Sequence, residues 1–139
     1  MIPIEAFHRG IALYAMAQRT KARKYRMRAN RIQKMVSKWA KAQNPNVQHY
    51  DLMLRAEQAA LSKRYNQADG LYKEAIISAG RTGHLQRVAL FHERYAEYRL
   101  KEQSDADDAK YHLSEAIRYY SEWGALGKAE VLKKEMNAL

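Results

Sequence analysis

Apolar side chains recur at steps of three and four along nearly the whole chain, a period that admits α-helices and excludes strands. The clearest run is Ala22, Tyr25, Ala29, Ile32, Val36 and Trp39, spaced 3, 4, 3, 4 and 3 apart, which forms one narrow stripe. Upstream, Ile4, Phe7, Ile11, Tyr14 and Ala15 keep the same period behind Pro3, a residue suited to a first helical turn. Downstream, Val47, Tyr50, Leu54, Ala56, Ala60 and Leu61 form a further helix face, as do Leu85, Val88, Phe91, Tyr95 and Leu100. A short last segment carries Val131, Leu132 and Met136. With only 6 Gly and 2 Pro in 139 residues, the composition argues against a turn-rich β-sandwich or barrel.

Punctuation divides this pattern into seven helices. Asn44-Pro45-Asn46 stops the basic helix, and Asn46 is placed to cap the next. Asn66 with Asp69, and Ser104 with Asp107, resemble capping boxes, while Gly80, Gly83 and Gly124 are candidate C-terminal stops. At 47% apolar and 29% charged residues, the chain can bury one core. It contains no cysteine, which excludes disulfides, thiol catalysis and Cys-ligated metals. The absence of a long apolar stretch and of a basic-then-apolar start predicts a soluble, cytoplasmic chain with no membrane partner.

The net charge is confined to one end. Residues 1–50 hold eleven bases against a single acid, Glu5, which already equals the formal net charge of +10. The rest of the chain balances 14 acids with 14 bases. Ten of the eleven bases fall between Arg19 and Lys41, and this asymmetry points to an anionic partner. Arg19, Arg23, Lys24, Arg26, Arg28, Arg31, Lys34 and Lys38 are therefore the candidate partner face. No aromatic outside the stripe is available to stack bases. An acidic protein surface is the preferred partner, and sequence-nonspecific nucleic-acid binding through 19–41 is the alternative.

A repeat runs through the pattern. Ala22 and Ala29, Ala68 and Ala75, and Ala109 and Ala116 are pairs seven residues apart, recurring after 46 and then 41 residues. Small residues at this spacing let two helices of a hairpin approach closely. The spacing is that of the tetratricopeptide repeat, although the usual Trp and Leu-Gly of its first helix are absent. The resemblance implies a right-handed α-solenoid of about three antiparallel hairpins, near 4–43, 47–80 and 84–123, with a final helix near 125–138.

Residues 70–100 and 109–135 resemble a helical region found in large multidomain signalling proteins. In these, an AAA- or STAND-type ATPase, often behind a kinase-like segment, precedes tetratricopeptide-like helices and histidine kinase or cyclase modules. Tyr72, Ala75 and Ile76, then Ala89, Glu93 and Ala96, then Tyr120 and Trp123-Gly124-Ala125 with Lys128 and Leu132 carry the likeness. Phe7-His8-Arg9-Gly10, Trp39-Ala40-Lys41 and Asn46-Val47-Gln48-His49 resemble its upstream part. These motifs are structural. They imply a non-catalytic interaction or scaffold module, a piece or short relative of a larger protein, and no enzyme activity.

Candidate chemistry elsewhere is thin. Gly80-Arg81-Thr82-Gly83 lacks the lysine of a phosphate-binding loop, and His92-Glu93 lacks a second histidine at Ala96. His8, His49 and His84 read as capping or surface residues. Asp105, Asp107 and Asp108 read as helix-start carboxylates rather than a calcium loop. Glu93 and Glu97 read as surface ion-pair partners. No cofactor or metal is expected. Tyr95, Tyr98, Tyr119 and Tyr120 are candidate groove aromatics for a bound peptide, and self-association through the last helix is a further expectation.

Overall fold

The computed structural model describes residues 1–42 and 45–139, and these form seven α-helices with no strand. They are α1 (Pro3–Thr20), α2 (Arg23–Lys41), α3 (Gln48–Leu61), α4 (Tyr65–Thr82), α5 (Leu85–Lys101), α6 (Ala106–Trp123) and α7 (Leu126–Asn137). The stop expected at Asn44 lies outside the described residues. Pro45 and Asn46 belong to a single 3-10 turn, Pro45–Val47, so Val47 rather than Asn46 precedes α3. Asn66 stands inside the first turn of α4 instead of capping it. The cap of α6 is Asp105, one residue beyond the expected Ser104: its carboxylate accepts the Asp108 N–H at 3.0 Å. Gly80 is helical, whereas Gly83 (φ +75°) and Gly124 (φ +100°) take the left-handed conformation that glycine adopts without steric cost.

The chain divides into two compact units, Met1–Ala75 and Ile76–Leu139. In the first, α1 and α2 pack as a hairpin and α3 rests on both. Ala6, Phe7, Ile11, Tyr14, Ala29, Val36, Tyr50, Met53 and Leu54 are buried there, with Phe7 stacked on Tyr50 at a centroid distance of 4.6 Å. Gly10 is a position where the neighbouring helices come close. A Cβ there would meet Leu54 Cδ2 at 2.9 Å and Ile32 Cγ2 at 3.3 Å. The Tyr14 hydroxyl donates to Asn30 Oδ1 at 2.7 Å, tying α1 to α2, and the buried Tyr72 hydroxyl donates to Glu57 at 2.8 Å. Burial first, then the nearby Glu57 carboxylate, pushes the Tyr14 phenol well above its ordinary pKa, so it serves as a neutral donor.

In the second unit α6 packs against α5 on one side and α7 on another. Ala89, Ala96, Leu113, Ala116, Ile117, Tyr120, Ala129 and Leu132 form its core, with Tyr119, Ala125 and Met136 against the edge. Glu93 of α5 is not a plain surface ion pair with arginine. It accepts the Tyr120 hydroxyl at 2.9 Å and the Lys128 ammonium at 3.0 Å, joining α5, α6 and α7.

Candidate interaction surface

The buried side of α2 comprises Ala29, Ile32, Gln33, Val36 and Ala40. Relative to the expected stripe, the C-terminal half is turned toward Gln33 and Ala40, leaving Trp39 half-buried. The polar Gln33 is accommodated because it donates to Ser37 Oγ at 2.7 Å, and Ser37 in turn donates to Asp51 of α3.

With that side covered, the opposite side is a row of five cations and one methionine. Lys24, Met27, Arg31, Lys34, Lys38 and Lys41 are all exposed and stand 3, 4, 3, 4 and 3 apart. This is the same rhythm as the apolar stripe displaced by two residues, or about 200° around the helix, hence the opposite face. Arg23, Arg26 and Arg28 flank the row and are also exposed. Among the described residues, none of these bases has a carboxylate within ion-pair distance. Lys24 lies over the Tyr25 ring at 5.0 Å, and Arg19, in the last turn of α1, meets Met16 Sδ at 2.9 Å.

The first turn of α2 adds an electrostatic conflict. It contains no acid, its N-cap residue Ala22 offers no side-chain acceptor, and Arg23, Lys24 and Arg26 sit at the positive end of the helix dipole. Each of these choices is locally unfavourable. An anion beside the exposed face would offset the charge part of this conflict.

The repeat alanines behave alike with one exception. Ala29, Ala68, Ala75, Ala109 and Ala116 are fully buried, on α2, α4 and α6, whereas Ala22 precedes its helix in an extended conformation and is half-buried. The candidate groove aromatics do not form an open groove. Tyr95 and Tyr98 are 1% exposed and Tyr120 is 7% exposed, so their rings are interior packing. Tyr119 is half-buried, stacked on His92 at 5.9 Å and covered by Arg118 at 4.3 Å. Which face a neighbouring helix covers cannot be read from spacing on one helix.

A polar cluster that spacing did not reveal occupies the α5–α6 hairpin. His92 Nδ1 and His112 Nδ1 approach to 3.0 Å, both rings buried. His112 Nε2 faces Asp108 at 3.5 Å, and Asp108 and Asp105 hold Arg99 at 2.7 and 2.8 Å. Burial, and then the neighbouring His112, lowers the His92 pKa to about 4. Twenty residues separate the two histidines, so only the hairpin brings them together. His49 is a second departure: it is 1% exposed against the Tyr50 ring, not a surface residue. Among the described residues, no group of three or more His, Cys, Asp or Glu is arranged to hold a metal. Nor is any helix among them long and apolar enough to cross a membrane.

No protein-family model, no curated protein and no solved structure matches the chain. The exposed face of α2, where the bases meet no carboxylate among the described residues, is the candidate functional surface.

Proposed function

We propose that the chain is a non-catalytic, tetratricopeptide-like interaction module that binds another protein and serves as a scaffold within a multidomain signalling system. The observation that carries this reading is the α2 face, where exposed positions are almost all Lys or Arg and, among the described residues, meet no carboxylate. Natural chains that break local electrostatic rules on one surface commonly do so where a partner completes them. The five fully buried alanines on α2, α4 and α6 support hairpins stacked in repeat fashion.

The test is quantitative affinity capture from cells that express the protein, comparing the full chain with Ala75→Leu and Ala116→Leu, each of which overfills a fully buried site. A discrete partner retained by the parent and lost by the variants, whose melting temperatures fall, is the expected outcome. Capture that survives loss of folded structure, or no partner at all, overturns the reading. Substrate turnover by the purified chain would do the same.

A further inference from the structure

We infer that the outward row of α2 docks an acidic α-helical segment of another protein, lying side by side with it; this rests on the interaction-module reading and specifies its partner. Six outward positions, Lys24, Met27, Arg31, Lys34, Lys38 and Lys41, repeat at alternate steps of three and four, one per helical turn. They span about 26 Å at 1.5 Å per residue. A partner helix carrying carboxylates at steps of three and four presents charge at the same pitch of about 5.4 Å. Charge complementarity is complete on this side, because the row contains no acid.

Two further observations favour a polypeptide over a nucleic acid. Met27 sits within the row and is 40% exposed. A thioether there gains nothing from a phosphate but can be covered by an apolar side chain of a helix. Aromatic platforms for bases are also missing from the row, since Tyr25 and Trp39 are half-buried and Tyr25 lies beneath Lys24. Sequence-nonspecific strands bind through such platforms together with cations, and here only the cations are present.

Fluorescence anisotropy of the full chain near 150 mM salt tests this with three labelled probes. One is an amphipathic helix of about 18 residues with Glu at steps of three and four and a Leu stripe beside them. The second is the same peptide broken by two prolines, and the third is a single-stranded RNA of equal charge. The helical peptide is expected to bind roughly tenfold tighter than either control, allowing for screened surface pairs. Arg31→Gln combined with Lys34→Gln and Lys38→Gln should weaken it about tenfold, and Met27→Ser about threefold. Unchanged circular dichroism and melting temperature confirm that these exposed substitutions leave the fold intact. RNA binding as tight as the peptide, equal binding of the broken peptide, indifference to the triple substitution, or no binding overturns the inference. If the triple variant still captures the cellular partner that Ala116→Leu loses, the module reading stands and this docking site falls.

Discussion

Helix α2 of the first unit and the α5–α7 helices of the second hold their charges in different ways. In Ile76–Leu139, Arg99, Arg118, Lys128 and Lys133 each meet a carboxylate within 3.3 Å, and Glu93 links three helices through charged and neutral donors. In Met1–Ala75 the bases of α2 meet none among the described residues, and cohesion comes from close apolar approach at Gly10 and from Tyr14–Asn30 and Tyr72–Glu57 hydrogen bonds. Surface pairs are individually weak, so the second unit gains little global stability from most of its pairs. The lesson concerns availability: charges paired within the molecule cannot recruit a partner cheaply, whereas those of α2 meet no carboxylate among the described residues.

The largest test of that contrast is acidity. His92 is held at about 4 against an ordinary 6.5, so the folded state resists a proton that the unfolded chain accepts. Its contribution is fully present above 6.5 and is lost as pH falls toward 4, amounting to about 3 kcal/mol. Urea unfolding of the parent should show that loss, and His92→Asn should flatten it. An unchanged slope would remove the histidine pair from the account of the second unit.

Next in size are two substitutions of different character. Glu93→Ala leaves the buried Tyr120 hydroxyl without its acceptor and Lys128 without its carboxylate, and should cost about 2 kcal/mol in chemical denaturation. Gly10→Val drives a branched side chain into Leu54 and Ile32 and should cost about 2 kcal/mol as well. Tolerance of Gly10→Val would show that the first unit is not held by close packing there.

The smallest expected effect sharpens the contrast most. Arg31→Gln, Lys34→Gln and Lys38→Gln together should change stability by less than about 0.5 kcal/mol, with any change favourable because like charges are removed. A loss above about 1 kcal/mol would mean that these cations have internal work to do. The same measurement in high salt should bring parent and variant together as screening shortens the reach of each charge.

Much of the fold was legible in the residues themselves. Helix number and approximate ends follow from hydrogen bonds between residues four apart and from side chains recurring every 3.6 positions, information contained within each segment. Gly83 and Gly124 were readable because a left-handed backbone favours glycine. Cap identity slipped by one residue at Asp105 because Ser104 and Asp105 both offer a short polar acceptor, and loop geometry selects between them. Most of the candidate surface was legible too, since any helix that buries Ala29, Ile32 and Val36 must turn Arg31, Lys34 and Lys38 outward. Met27 is uncharged, so the distribution of bases along the sequence does not mark its place in the row.

By itself, then, the sequence determined an all-helical chain, its helical segments and the confinement of the net positive charge to one end, all consequences of local periodicity and composition. Tertiary structure alone decided that Gln33 and Ala40 are covered more fully than Trp39 and that Tyr95 and Tyr98 are interior. It also decided that His92 meets His112, and that Glu93 serves Tyr120 and Lys128. Each of these depends on which distant helix lies over a given face. Such encounters are set by packing between segments, and no period within one segment encodes them.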